Sequence, residues 1–228
     1  MNFLAHDYVL PCPSEDITRV GSALPDLWPL LPKRSLPLVV LRRLHATSGD
    51  STARALAVGI ESHLRADAAF HGHAEFQRRV ELLAPRVASV WPGLRHAGIA
   101  AHVLVEMILD RWLMRVEPAR LDSYYAAFTH EAVELACEKT TADSAASEAL
   151  RELLRRFVDS AFLRDYCRSE GLAVRFLRTV GRTAFAATPP PVHEVALVVE
   201  EADEQLSEGS QSLLDAVRGG AGVARDVT

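Results

Sequence analysis

The chain has few cysteines, which argues against a disulfide framework, and few lysines, which argues against nucleic-acid binding. Cys12, Cys137 and Cys167 are widely spaced and form neither a CxxC pair nor an even-numbered disulfide framework. We therefore expect free thiols in a reducing compartment. Lys33 and Lys139 are the only lysines, and the formal net charge is -5. A nucleic-acid backbone is not the expected partner, because binding it usually needs clustered basic side chains.

Long apolar runs are also missing, which argues against a membrane location. No apolar window reaches the roughly 18 residues that a membrane-spanning helix needs. The N-terminal sequence MNFLAHDYVL lacks the basic flank and the long apolar core of a signal peptide. We expect a cytoplasmic protein without a transmembrane segment.

Strand and hairpin signals are absent, and helical periodicity dominates the sequence. Apolar residues recur at helical spacing in several segments, among them residues 48–71, 93–116 and 192–218. Prolines interrupt the first 35 residues, and Pro85 is expected to break a further helix. The predicted fold class is all-α: a single compact multi-helix bundle with a metal site between helices and a C-terminal helical extension.

A run of three prolines divides the chain into two predicted segments. Pro189, Pro190 and Pro191 form a stiff break. Residues 1–188 are predicted to form one all-helical domain. Residues 189–228 would hold the break, one helix over residues 192–218 and a frayed tail.

Two helices carry polar side chains at four-residue intervals within apolar segments. Residues four apart lie on nearly the same face of a helix. Burying a lone carboxylate or imidazole costs several kcal/mol unless something compensates it, so two such stripes need a common compensation. The stripes are His63, Asp67 and His71 in the segment SHLRADAAFH, and His102, Glu106 and Asp110 in residues 93–116.

A divalent cation would compensate both stripes. Imidazole and carboxylate ligands without thiolate suit Zn, Mn or Fe, and helical bundles build metal sites from inward-pointing side chains at this spacing. The candidate ligands exceed the need of one ion, so we expect two or more ions with Asp67 as a bridge. Other interpretations stay open, because a His-x3-Asp pair is often a surface hydrogen bond and Asp110 could pair with Arg111.

Short segments in the N-terminal half resemble one enzyme family. MNFLAH, GSALPD, GIESHLRAD and EMILDRWL occur in this order. Together they resemble bacterial acyl carrier protein phosphodiesterase, an all-α HD-type metal-dependent phosphohydrolase, over about residues 1–115. The resemblance places His6, Asp26, His63 and Asp67 on polar positions of the family motifs.

The chain also departs from that family. Glu106 stands where the family has an aspartate, and Asp110 matches its second aspartate. His71 stands where the family has another aspartate, and Arg111 replaces a histidine. These departures imply a changed substrate or a changed metal.

The order of ligands is also similar to zinc-dependent phospholipase C, whose helical site holds a metal cluster. His102 and Glu106 fit this second family better than the first, and either His71 or His73 would follow the His-x3-Asp pair. Secreted members of that family carry a signal peptide, which this sequence lacks. The metal ligands implied are His6, Asp26, His45, His63, Asp67, His71, His102 and Glu106.

Both resemblances imply hydrolysis of a phosphodiester at divalent ions that activate a water molecule. The implied catalytic residues are Asp67, Asp26 and Asp110, with Asp26 entering from a turn at Pro25. Asp110 could be a ligand, orient an imidazole or form a structural ion pair. Residues 1–188 would then be a phosphohydrolase-like domain.

The substrate and the alternative function stay open at this point. The phosphoester could be a carrier-protein prosthetic group, a phospholipid head group or a nucleotide. The alternative is a non-catalytic helical binding module, in which the His and carboxylate residues satisfy one another and the helix over residues 192–218 binds a partner.

Overall fold

The computed structural model describes residues 2–11, 14–32, 35–47, 49–182 and 188–222, so Cys12 lies outside the described residues. The described residues form helices joined by short loops, and no strand occurs among them. The predicted all-α fold is therefore confirmed. In chain order the α-helices are α1 (Phe3–Val9), α2 (Asp16–Leu27), α3 (Pro37–Ala46), α4 (Ser51–His71), α5 (Ala74–Val90), α6 (Ala97–Val116), α7 (Ala119–Ala126), α8 (His130–Thr140), α9 (Ser144–Ser160), α10 (Ser169–Gly181), α11 (Val192–Ser207) and α12 (Ser210–Gly222). Short 3-10 segments cover Trp28–Leu30 and Phe162–Cys167.

Helix α6 lies at the centre of the bundle. It contacts α1, α5, α7, α10 and α11, and its buried side chains include Leu104, Ile108 and Leu113. A helix that is apolar around most of its circumference is expected in such a central position. Yet none of the described helices, α6 included, is long and apolar enough to span a membrane.

Helices α2 and α4 approach each other closely at two glycines. A Cβ atom on Gly59 would lie 2.1 Å from the carbonyl oxygen of Thr18, and one on Gly21 would lie 2.7 Å from that of Leu56. Backbone therefore packs directly on backbone here. This approach brings the polar stripe of α4 next to the end of α2.

We expect Gly59→Ala to destabilise the protein strongly. The new methyl group would overlap the backbone of α2, which cannot move aside as a flexible side chain could, so the free energy of unfolding should fall by roughly 3 kcal/mol or more. Gly98→Ala is the matched control, because nothing lies within 4 Å of a Cβ atom at that position in α6. It should change stability by less than about 1 kcal/mol, in the stabilising direction. Urea denaturation measures the stability of both variants. Equal stabilities would contradict the close backbone contact between α2 and α4.

Two prolines lie inside helices. Helix α2 continues through Pro25, and α5 continues through Pro85. The predicted break at Pro85 is therefore wrong, as is the placement of Asp26 on a turn, since Asp26 lies in the last turn of α2. A proline removes one backbone hydrogen bond and bends the helix. Leu83 and Val87 are buried on either side of Pro85, and this packing keeps α5 helical.

The C-terminal segment forms two helices where one was predicted. Helix α11 ends at Ser207 and α12 begins at Ser210. Between them Gly209 has a φ of 76°, a conformation that glycine adopts without steric cost. The buried Arg79 donates hydrogen bonds to the Ser210 hydroxyl and the Glu208 carbonyl, which fixes the turn. Residues 223–228 of the predicted frayed tail lie outside the described residues.

Both C-terminal helices pack on the N-terminal bundle. Helix α11 contacts α5, α6 and α10, and α12 contacts α1 and α4. Asp203 of α11 accepts hydrogen bonds from Arg111 and Arg115 of α6. Asp215 of α12 accepts one from the hydroxyl of Tyr8 in α1. These contacts help to hold α1 and α6, which carry the candidate ligands.

Candidate metal centre

Three side chains from two helices converge in what we call the first group: His6, His63 and Asp67. His6 lies on α1, whereas His63 and Asp67 lie on successive turns of α4. Asp67 Oδ1 is 3.2 Å from His6 Nε2, and Asp67 Oδ2 is 3.5 Å from His63 Nε2. One ligand atom of each residue lies within 4.8 Å of the other two. A single cation could contact all three with little adjustment.

The backbone of α2 orients the His63 ring. Its Nδ1 atom is 2.8 Å from the carbonyl oxygen of Ser22. Since a carbonyl oxygen can only accept, Nδ1 carries the hydrogen and donates it. Nε2 is then the nitrogen that faces Asp67, and it can donate a hydrogen bond to that carboxylate or, without its hydrogen, bind a cation. A second hydrogen bond of this kind is the usual way in which proteins orient a metal-binding imidazole.

His6 is a buried imidazole whose Nε2 atom faces Asp67 and whose Nδ1 atom has no hydrogen-bond partner among the described residues. Its side chain is 1% exposed, and neither ring nitrogen makes a hydrogen bond of good geometry with a described residue. Its ring stacks on that of His63, with ring centroids 3.6 Å apart and planes 14° apart. Burial, together with the adjacent His63, lowers the pKa of His6 to about 3. The ring is therefore neutral near pH 7, which is the form that binds cations.

Asp26 lies next to the first group. Its Oδ1 atom is 3.7 Å from His63 Nε2, and its Oδ2 atom is buried without a hydrogen-bond partner among the described residues. Burial raises the pKa of Asp26 to about 6, and the carboxylates of Asp67 and Glu106 add to the shift. Asp67, the predicted bridge between ions, belongs to the first group. Asp26 is close enough to Asp67 on α4 and Glu106 on α6 for their charges to raise its pKa.

A second group consists of His71, His102 and Glu106. His71 lies in the last turn of α4, and the other two lie one turn apart on α6. Glu106 Oε1 is 3.2 Å from His71 Nε2 and 3.0 Å from His102 Nε2. The ring of Phe76 packs against both imidazoles, with centroid distances of 5.5 and 4.9 Å. Two imidazole nitrogens thus face one oxygen of Glu106, whereas in the first group they face the two different oxygens of Asp67.

The central carboxylate of each group stays ionised. Burial opposes ionisation of Asp67, but the facing ring nitrogens of His6 and His63 hold its pKa well below the usual range. Burial likewise opposes ionisation of Glu106, whose pKa is nevertheless low because of the adjacent imidazoles. Each group therefore offers one negative charge and two imidazoles, a donor set that suits Zn, Mn or Fe.

Asp110 is fully buried and belongs to neither group. Its Oδ1 atom accepts a hydrogen bond of 2.9 Å from the backbone N–H of Ala5, in the first turn of α1, where N–H groups lack partners within the helix. Asp110 thus anchors α1 and positions His6, which follows Ala5. Its interpretation as a ligand is not supported. The alternative of an ion pair with Arg111 does not hold, because Arg111 pairs with Asp203 at 3.0 Å.

Two other histidines considered as ligands lie outside both groups. The side chain of His45 is 58% exposed, and its Nε2 atom is 2.8 Å from Glu61 Oε1. The structure therefore does not support His45 as a ligand; it forms a surface pair between α3 and α4. His73 caps the start of α5, where its Nδ1 atom accepts the N–H of Glu75. Of the two alternatives, it is His71 that joins the second group.

A cavity of about 390 Å³ adjoins Asp26 and Glu106. Its walls come from α1, α2, α6, α9 and α10 and from the 3-10 segments. The residues of α9 and α10 form no recognisable sequence motif, because arginines and apolar residues are common on amphipathic helices. The cavity thus connects α9 and α10 to the candidate site, because residues of both helices line it together with Asp26 and Glu106.

No protein-family model, curated protein or solved structure matches the chain significantly. The resemblance of the short N-terminal segments to known families therefore stays an interpretation.

Proposed function

We propose that the protein is a metal-dependent phosphoesterase that hydrolyses a phosphodiester. The observation that carries the proposal is the convergence of two His–His–carboxylate groups from α1, α4 and α6 beside a cavity. The first group, with Asp26, and the second group would each hold a divalent ion. His6 Nδ1 and Asp26 Oδ2, which are buried without a hydrogen-bond partner among the described residues, support this assignment, because buried polar atoms are rarely left without partners.

The residues of the candidate site have different roles in the proposed reaction. Divalent ions at the two groups would supply a nucleophilic water and neutralise charge on the phosphate. Asp67 holds His6 and His63 in one orientation with its two oxygens. Asp26 lines the cavity, and its buried Oδ2 atom has no hydrogen-bond partner among the described residues, so it can bind an ion or accept a proton from the attacking water. Asp110 is a positioning residue that acts through α1 and His6.

One observation favours a non-catalytic binding module as the second candidate. The imidazoles of the second group already contact Glu106 at hydrogen-bond distance, so these residues could stabilise the bundle without an ion. In that case the cavity would bind a ligand that is not hydrolysed.

Metal analysis separates the two candidates. We expect the purified protein to contain Zn, Mn or Fe at one to two ions per chain, since the structure has two groups. A chelator should remove the metal, lower the melting temperature and abolish hydrolysis of bis-p-nitrophenyl phosphate. His63→Ala should lose metal, whereas His45→Ala should retain it, because His45 belongs to neither group. Metal-free protein whose melting is unchanged by chelator and by added metal would favour the binding module.

A further inference from the structure

We propose that the cavity binds a phosphoester whose apolar chain carries a second anionic group, held by arginines of α10. This inference rests on the proposed function, because the reacting phosphate would lie at the end of the cavity formed by Asp26 and Glu106. It assigns a role to α9 and α10, which lie outside the two groups.

The walls of the cavity are mainly apolar. Its volume of about 390 Å³ is within the usual range of small-molecule sites, roughly 300–1,000 Å³. Its apolar surface suits a hydrocarbon chain better than a sugar or a base with many polar atoms. The apolar lining includes Leu27, Leu30, Val103, Met107, Phe157 and Phe162.

Three arginines line the cavity from one face of α10 and its C-terminal cap. Arg175, Arg178 and Arg182 are three and four residues apart, so they lie on successive turns. Arg175 is partly neutralised by Asp165, whose Oδ2 atom is 2.7 Å from Arg175 Nε, and it lies over the Phe162 ring. Arg178 and Arg182 are exposed, and no hydrogen bond or ion pair joins either side chain to a described residue.

The charge distribution in the cavity indicates a ligand with two anionic ends. The acidic residues Asp26 and Glu106 come from α2 and α6, whereas the three arginines come from another wall, α10 and its cap. A fourth arginine of the lining, Arg156 of α9, is paired with Glu152. Adjacent guanidinium groups without a counter-ion repel one another, and each can bind a carboxylate or phosphate through two parallel hydrogen bonds. A phosphate held at the acidic end by metal ions would leave these arginines unused unless the ligand carried a second oxyanion.

A set of synthetic diesters tests the inference. p-Nitrophenyl decyl phosphate, its ω-carboxydecyl and ω-phosphonodecyl counterparts, and p-nitrophenyl methyl phosphate share one leaving group. We expect the chain to lower KM relative to the methyl ester, and a terminal anion to lower it by about a further tenfold, the usual gain from a charge-assisted hydrogen bond. Comparing the two termini shows whether carboxylate or phosphonate is preferred.

Paired variants assign the effect to the arginines. Arg178→Gln with Arg182→Gln should raise KM for the anionic esters about tenfold and leave kcat and the methyl ester unchanged. The matched control, Arg54→Gln with Arg95→Gln, removes the same charge at exposed positions that do not line the cavity and should change neither constant.

Calorimetric binding of 11-phosphonoundecanoic acid, which cannot be hydrolysed, is the independent readout. Binding that needs Arg178 and Arg182 but is accompanied by no hydrolysis would support the cavity assignment and contradict the proposed function. Hydrolysis with equal KM for all four esters would overturn the inference and leave the proposed function standing. Absence of both binding and hydrolysis would overturn both.

Discussion

Replacing Asp67 by Asn is expected to lower phosphodiester hydrolysis by roughly a hundredfold to a thousandfold. Asp67 faces the ring nitrogens of both His6 and His63. An amide has the same shape but carries no charge, and one of its two oxygens becomes an N–H2 donor that a cation repels. Metal content at the first group should fall together with the rate, as measured by metal analysis and bis-p-nitrophenyl phosphate turnover.

Glu61→Gln is the matched control for this substitution. Glu61 lies on the same helix, and its carboxylate contacts an imidazole, that of His45, at 2.8 Å. The substitution removes the same charge, yet it leaves the first group intact, so metal content and rate should stay within about twofold of the parent protein. If Asp67→Asn kept the parental rate, or if both variants lost it equally, the assignment of the first group would be wrong.

The helices could be predicted from the sequence because apolar spacing reports which face is buried. The limits of the prediction came from tertiary packing. The predicted break at Pro85 did not occur, because burial of Leu83 and Val87 outweighs the one lost hydrogen bond. The C-terminal helix divides at Gly209, and the hydrogen bonds that fix this turn come from Arg79, more than a hundred residues earlier in the chain.

The candidate site was predictable only where its residues are neighbours in sequence. Four-residue spacing identified the pair His63 and Asp67 and the pair His102 and Glu106, and the structure keeps each pair together. The same spacing wrongly placed His71 with His63. Eight residues of helix rise by roughly 12 Å, so His71 meets α6 instead.

Contacts between distant segments carry no such signal. His6 was proposed only from the family resemblance, because no local pattern links α1 to α4. The Ser22 carbonyl that orients His63 is a backbone atom, which no residue type reveals. Tertiary packing alone brings these groups together.

Replacing Asp110 by Ala should lower the free energy of unfolding by roughly 2–4 kcal/mol. The substitution removes the acceptor for the Ala5 N–H and leaves that donor buried at the start of α1. Because α1 carries His6, metal affinity should fall as well. Asp110→Asn is the control, because its amide oxygen can still accept the hydrogen bond. This substitution should lower the free energy of unfolding much less than Asp110→Ala does. Urea denaturation with and without metal measures both effects, and equal losses in the two variants would contradict the anchoring role.

The pH dependence of stability gives a second test of Asp110. Burial raises its pKa from an ordinary 3.8 to about 8, so the folded protein holds a proton that the unfolded chain releases above pH 4. The stabilisation is then complete at low pH and is lost as the pH rises from about 4 to about 8. Asparagine does not titrate, so the unfolding free energy of the parent minus that of Asp110→Asn should decrease over this interval. Both proteins share the other titrating groups, so their contributions cancel in this difference when it is measured in chelator. If the unfolding free energies of the two proteins ran parallel against pH, the Asp110 carboxyl would be ionised in the bundle.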